Sequence, residues 1–400
     1  MLAARARRIA QSPTMKVAAE ALKLKAQGID VIDLGAGEPD FPTPPHVAAA
    51  AHEAIDANFT KYTTNSGTEE LKRAIASRYR QDCGVDYETA EVIVTAGGKQ
   101  ALYNAVMVLF GPGDEVITHA PGWPTLVEQI RLTEARPVIV RTYAENGFRL
   151  RAESILGALS PSTRGIVINS PGNPTGALIE ETDLEAIAVE AARRGIWIIM
   201  DLCYEKLIYD PVPHNLPGVL ARVTRDRAIL CGSASKAYAM TGWRCGWALG
   251  PAPVIASCNA LQSHSTSNVS SITQKAALAA LTAPQDCVTA MLDEYRRRRD
   301  QLSAWLAGEP RLRLVKPAGA FYLFPDVSDF LSADAIRTSA ALAQALLDDV
   351  RVAVTPGEAF DAPGFVRISY ATSMDQLARG AERIIDYVRS LEQRSKAVAR

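Results

Sequence analysis

The sequence predicts an α/β fold: a large domain with a mainly parallel sheet covered by helices, plus a smaller α+β domain. Three observations lead there. From about residue 90, short Val/Ile-rich runs alternate with amphipathic stretches, the pattern of parallel strands joined by helices. Those runs are apolar on both alternating faces, as strands buried on both sides must be. Beyond a long charged helix at 285–306, the pattern changes to separated strands packed with further helices. The division expected is a large domain over residues 47–285. Residues 1–46 join 286–400 in the small domain, because the first forty residues carry no sheet pattern of their own.

Taken in order, Val92–Val94 is a strand followed by a helix from Lys99 to Leu109. Glu115–Thr118, Pro137–Val140, Gly165–Asn169 and Ile196–Met200 are strands. Between the last two, Leu184, Ile187 and Ala191 mark the buried stripe of a helix over Asp183–Arg193. Ala228–Cys231 and Trp243–Leu249 complete the large sheet. The smaller domain draws on strands near Phe321–Phe324, Val350–Val354 and Phe365–Tyr370, with helices near Ala335–Leu347 and Ser373–Arg389. In the long helix, Tyr295 precedes four consecutive arginines, Arg296 to Arg299. Asp293, Glu294 and Asp300 flank them, so a solvated helix face is expected rather than a nucleic-acid patch.

Composition narrows the function. The chain has 400 residues, 48% hydrophobic and 22% charged, with 43 basic against 44 acidic side chains and a net charge of −1. That balance offers no field to attract nucleic acid or a membrane surface. No apolar run reaches the roughly 18–20 residues of a membrane span. The six cysteines are scattered, with no C-x-x-C pair, as expected for thiols of a reducing compartment. The five histidines are dispersed and suggest no zinc site. The short Arg-rich start, Met1–Ile9, is too brief for a transit peptide. A cytoplasmic protein is expected.

The strand ends hold the chemistry, since ligands of open parallel sheets bind beyond the carboxyl ends of the strands. Gly165–Asn169 runs into Ser170-Pro171-Gly172-Asn173-Pro174-Thr175-Gly176, a rigid turn that presents Asn173. Ile196–Met200 ends at Asp201, with Tyr204 three residues on. Ala228–Cys231 ends at Ser233-Ala234-Ser235-Lys236. Val92–Val94 ends at Thr95-Ala96-Gly97-Gly98-Lys99, which opens a helix. A lysine must lose its proton to attack a carbonyl, and a nearby cation such as Arg244 helps. A carboxylate keeps a pyridine nitrogen protonated. A helix N-terminus, hydroxyls and an arginine hold a phosphate dianion. Together these groups describe a site for a phosphorylated aldehyde cofactor.

The chain also resembles the fold-type I, class I aminotransferases that use pyridoxal 5′-phosphate, in particular their bacterial aspartate/prephenate branch. The resemblance runs from Ser12-Pro13-Thr14 and Gly35-Ala36-Gly37-Glu38-Pro39-Asp40 to Val366-Arg367-Ile368-Ser369-Tyr370-Ala371-Thr372. Its most specific parts are Asn169–Gly176, Ser233-Ala234-Ser235-Lys236 and Met240-Thr241-Gly242-Trp243-Arg244. It implies that Lys236 links to the cofactor aldehyde and shuttles a proton, that Asp201 pairs with the ring nitrogen, and that Tyr204 and Asn173 bond the phenolate oxygen. Trp123 would stack on the ring. Gly98 and Lys99, Ser233 and Arg244 would hold the phosphate. Tyr62 would reach that phosphate from a second subunit, which implies a homodimer with shared sites. Arg367 would clamp the substrate α-carboxylate, with Gly37, Asn173 and Trp123 closing around it. Thr14, Lys16 and Lys99 are candidates for a second substrate carboxylate, implying aspartate or glutamate as amino donor in a ping-pong reaction with a 2-oxo acid.

Two departures from the family pattern stand out. Gly122-Trp123 replaces the usual Tyr-Trp, and Asp201-Leu202-Cys203-Tyr204 replaces Asp-Glu-x-Tyr. The glycine is expected to enlarge the substrate pocket, which opens aromatic or prephenate-like substrates, and Cys203 reads as a small buried filler. A C–S lyase or other chemistry at the substrate Cα on the same fold is the alternative enzyme. A cofactor-sensing regulator is disfavoured because the first thirty residues are too few for a DNA-binding module.

Overall fold

A computed structural model describes the backbone of residues 13–332 and 336–398, and the side chains of 19–332 and 336–391. The central sheet has seven strands: β2 (Val92–Thr95), β3 (Glu115–Ala120), β4 (Arg136–Arg141), β5 (Thr163–Asn169), β6 (Trp197–Asp201), β7 (Ala228–Ser233) and β8 (Gly246–Leu249). Their spatial order is β2-β8-β7-β6-β5-β3-β4. Strands β4, β3, β5, β6 and β7 are parallel neighbours. β8 runs antiparallel to both β7 and β2, so the sheet is mixed at one side. Trp243–Cys245 fall outside β8 and form the turn leading into it.

Each face of the sheet is covered by a different set of helices. On one lie the helices Pro45–Asp56, Glu69–Cys83, Glu181–Arg194, Leu216–Thr224 and Ser271–Thr282, whose residues Val47, Leu71, Leu184, Val219 and Ala276 share a core with Val94, Ile166 and Ile198. On the other, Gly98–Leu109, Pro124–Leu132 and Ala252–Ser263 enclose Ile93, Val116, Val167, Ile199 and Ile229. Local signals agree with these helices. Thr68 caps the Glu69–Cys83 helix by accepting from the Leu71 N–H, and Gly84 closes it at φ 68°.

A second core joins the two ends of the chain. Strand β1 (Ile32–Asp33) pairs with β10 (Val352–Ala353). Beside it, β9 (Tyr322–Leu323), β11 (Thr355–Pro356) and β12 (Val366–Ser369) form a three-stranded sheet in the order β11-β12-β9. Ile32 and Leu34 pack there with Tyr204, Tyr209, Tyr295, Phe321, Tyr322 and Tyr370.

The arginine run corrects one expectation. Arg296 and Arg297 are partly or largely exposed, but Arg298 and Arg299 are only 6% and 1% exposed. They lie on the buried stripe of the Asp286–Leu306 helix, with Tyr295 and Leu302. Arg298 bridges Asp40 at 2.7 Å and Glu294 at 2.8 Å, while Arg299 bridges Asp210 at 3.2 Å and Asp300 at 2.9 Å. Paired this way, both guanidinium groups can be buried, and they pin the long helix to the loops at Asp40 and Asp210.

Candidate active site

The strand ends converge as the sequence suggests. Gly97 takes φ 83°, a conformation that favours glycine, and precedes the Gly98–Leu109 helix. A Cβ on Gly97 would sit 2.5 Å from an Arg244 guanidinium nitrogen. One on Gly98 would sit 2.7 Å from the Cys203 sulfur and 3.3 Å from the Ser233 Cβ. Absence of side chains at both glycines therefore lets Arg244, Ser233 and Cys203 close on the N-terminus of that helix. The N–H groups of Gly98 and Lys99 have no carbonyl within the helix to bond. Arg244 is exposed and held by the Thr241 and Ala96 carbonyls at 2.9 and 3.3 Å. Ser233 caps the next short helix by accepting from the Ser235 N–H.

Asp201, 2% exposed, ends β6 and accepts from the Cys203 N–H at 3.0 Å. Burial raises its carboxyl above the usual range, against the pull of Cys203 and Lys236. Lys236 reaches across to donate to the Gly37 carbonyl at 2.5 Å. Its ammonium is lowered to about 8, first by burial and further by Arg367 and Arg244. A lysine so lowered supplies free amine near neutral pH, as a nucleophile requires. Lys99 is also lowered, by burial and then by Arg244, and its Nζ lies 5.0 Å from the centre of the Trp123 ring.

Arg367 is 3% exposed. It donates to the Asn173 side-chain oxygen at 3.0 Å, the Gly35 carbonyl at 2.8 Å and the Thr355 hydroxyl at 3.4 Å. Its Nε has no partner. All three acceptors are neutral. An ion pair is the usual condition for burying a charge, so this guanidinium is set for an anion. Tyr204 is buried, and its hydroxyl lies 2.8 Å from that of Tyr322. Gly35, Thr355, Cys203 and Tyr322 border the site without having been assigned there from the sequence. For Tyr322 the strand was legible, but the register that sets it beside Arg367 joins segments far apart in the chain.

Tyr62 lies away from this cluster on the surface, 91% exposed. The side chains of Thr14 and Lys16 lie outside the described residues. Cys203 is half-buried, packed against the second core and also beside Asp201 and Gly98, so it borders the site as well as helping to fill the core. Gly122 has a tighter reason to be glycine than pocket size. A Cβ there would overlap the His119 carbonyl oxygen, and its N–H bonds the Phe360 carbonyl at 3.3 Å. It also lines a cavity of about 520 Å³ together with Lys99, Tyr103, Glu128 and Phe360. Gly122→Ala is expected to lower stability by about 1–3 kcal/mol, read as an earlier midpoint in urea unfolding. An unchanged midpoint would show that the loop relaxes freely.

Comparison with known proteins settles the family. The family model "Aminotransferase class I and II" matches residues 29–384. The chain belongs to the class I and II aminotransferases. It is 41% identical to the aspartate aminotransferase of Geobacillus stearothermophilus, over 96% of this chain and 98% of that one. It is 42% identical to the aspartate/prephenate aminotransferase of Cereibacter sphaeroides, over 94% and 96%. Among solved structures, the aspartate aminotransferase of Thermus thermophilus with maleate superposes with a TM-score of 0.91 at 39% identity, covering 96% of this chain and 99% of that one. That of Rhizobium meliloti gives 0.92 at 40% identity, covering 97% and 98%. This aminotransferase therefore has the α/β fold expected from its strand pattern and the transaminase chemistry implied by its family resemblance.

Proposed function

We propose that this aminotransferase carries pyridoxal 5′-phosphate and transfers the amino group of aspartate or glutamate to a 2-oxo acid in two alternating half-reactions. The observation that carries the reading is Arg367, a buried guanidinium surrounded by neutral acceptors, facing the same small region as Lys236. When bound, the cofactor supplies an aldehyde that condenses with amines and a pyridinium ring that accepts the electron pair left at the substrate Cα.

The residues fit such a group. The side-chain-free turn at Gly97-Gly98, with Arg244 and Ser233 against it, suits a phosphate at a helix N-terminus. The N–H groups of Gly98 and Lys99 would complete that cradle. Lys236 would form the covalent link and, as free amine, take and return the Cα proton. Asp201 would keep the ring nitrogen protonated, and Trp123 would cover one face. Asn173 and Tyr204 would donate to the phenolate oxygen. Arg367 would grip the α-carboxylate with two parallel hydrogen bonds, with Gly37 and Asn173 beside it. The small domain, 1–46 with 286–400, would close over the substrate against the large domain, 47–285.

The high exposure of Tyr62 supports its role as a donor to a second copy's phosphate in a homodimer. Mixing Lys236→Ala with Tyr62→Phe protomers is then expected to regenerate one unmutated site per mixed dimer, and activity above that of either parent in the same assay. The six cysteines are free thiols and no helix among the described residues is long and apolar enough to cross a membrane. Both fit action in the cytoplasm on small molecules.

For the side chain of the substrate, Lys99 is the described cation beside Trp123, with Thr14 and Lys16 as further candidates. The Thermus thermophilus relative was solved with maleate, itself a dicarboxylate. A charged hydrogen bond contributes about 1.5–3 kcal/mol. Lys99→Ala should therefore lower kcat/KM for aspartate roughly tenfold to hundredfold, and far less for alanine or phenylalanine. Equal losses on all three would restrict Lys99 to the phosphate. The similarity to the aspartate/prephenate aminotransferase of Cereibacter sphaeroides favours a second reading, in which a bulkier oxo acid of prephenate or aromatic type is also accepted. The half-reactions test the whole proposal: adding aspartate or glutamate to the cofactor-loaded protein should bleach its visible band, and a 2-oxo acid should restore it. A band indifferent to every amino acid would overturn the reading.

A further inference from the structure

We propose that Tyr322 is a positioning residue for the transamination: its hydroxyl orients that of Tyr204, linking the carboxylate-binding end of the site to the cofactor-binding end. The inference rests on the reading that Tyr204 meets the cofactor and Arg367 the substrate.

Strand pairing sets the geometry. Ser369 on β12 lies opposite Tyr322 on β9, so Arg367, two residues before Ser369, points to the same face as Tyr322. The Arg367 guanidinium lies 4.3 Å from the centre of the Tyr322 ring, and Tyr322 is 1% exposed. The Tyr322 and Tyr204 hydroxyl oxygens are 2.8 Å apart, their rings meeting edge-on at 76°. Tyr204 follows directly from β6 and Asp201, so this one bond joins the central sheet to the strand pair carrying Arg367. The Tyr322 hydroxyl also lies 3.5 Å from where a Cβ on Gly37 would sit, and the Gly37 carbonyl is the one that holds Lys236.

Only one proton can lie between two hydroxyl oxygens. A cation over the face of a phenol ring draws electron density from it and makes it the better donor. Burial raises both phenols and Arg367 lowers both, but for Tyr322 it is the largest opposing influence, whereas for Tyr204 it ranks behind the upward push of Tyr322 itself. In the proposed arrangement Tyr322, the phenol beneath the Arg367 cation, donates and Tyr204 accepts, which leaves the Tyr204 hydrogen free for another acceptor. A carboxylate bound to Arg367 offsets the charge above the Tyr322 ring and weakens that donation. Occupancy at one end of the site is thus felt at Tyr204.

A double-mutant cycle separates this role from simple filling of the aromatic core. The chains are wild type, Tyr322→Phe, Tyr204→Phe and the double variant, each loaded with pyridoxal 5′-phosphate. The readouts are the wavelength of the visible band, its shift on saturation with maleate, and kcat and KM for aspartate. Tyr322→Phe should move the band, shrink the maleate-induced shift at least twofold and lower kcat about tenfold with KM changed less than threefold. In the Tyr204→Phe background it should do none of these. Equal effects in both backgrounds, or an unmoved band, overturn the proposal. Thermal melting of each chain checks folding, and Tyr204→Phe reads the same bond from its other end if one variant is unstable. A wild-type chain with no visible band would overturn the cofactor reading instead.

Discussion

Lys236→Ala is expected to abolish the borohydride-reducible attachment of pyridoxal 5′-phosphate and to lower transamination by at least 10²–10⁴-fold, the range typical for loss of a positioned acid–base group. The physical basis is the environment of the ammonium. It is held by the Gly37 carbonyl, a neutral acceptor, and lowered to about 8 by burial with further help from two arginines. No other lysine among those described combines a half-buried position at a strand end with a neutral partner next to Arg367. The phosphate cradle at Gly97-Gly98 is untouched by the change, so the variant should retain measurable non-covalent cofactor binding in an equilibrium titration. Transamination within a factor of a hundred of wild type would mean that another group does this work.

Asp201→Asn should fold normally yet lose far more rate than Asp201→Glu. The carboxylate is buried, and burial already disfavours its charged form. A cationic ring nitrogen opposite it would restore the charge through a strong hydrogen bond. Asparagine offers the same shape without the charge, so the ring nitrogen would lose its proton and with it the capacity to accept electrons. Glutamate keeps the charge at some cost in geometry. The expected order in single-turnover rate is wild type, then glutamate, then asparagine, with the last lower by about two orders of magnitude or more. Similar, mild losses in both variants would remove Asp201 from the chemistry.

Much of this arrangement is legible in the sequence. The Val/Ile runs located the strands because they are short, rich in β-branched residues and bounded by turn residues, which separates them from buried helix segments. The strand ends named Asp201, Lys236, Asn173 and the Gly97-Gly98 turn, since each functional group follows its strand by only a few residues. What stayed hidden depends on contacts between distant segments. The antiparallel direction of β8 leaves no mark on an apolar run of four residues. The burial of Arg298 and Arg299 follows from partners at Asp40 and Asp210, outside the charge run itself. The close approach of the His119 carbonyl to Gly122 is likewise set by the path of the backbone, which residue types alone do not specify.

The position of β8 also bears on the order in which the chain can assemble. β2 carries the glycine turn, yet within the sheet its strand partner is β8, more than 140 residues later, and Val92 pairs with Leu249. Arg244, which presses on Gly97, belongs to the turn just before β8. On the ribosome, the glycine turn must therefore wait with its strand edge unpaired while β3 to β7 emerge and pair among themselves. Such long-range closures come late in folding. Cofactor capture is thereby deferred until the chain is past its midpoint, so nascent fragments ending before residue 240 should have no phosphate-binding site to offer.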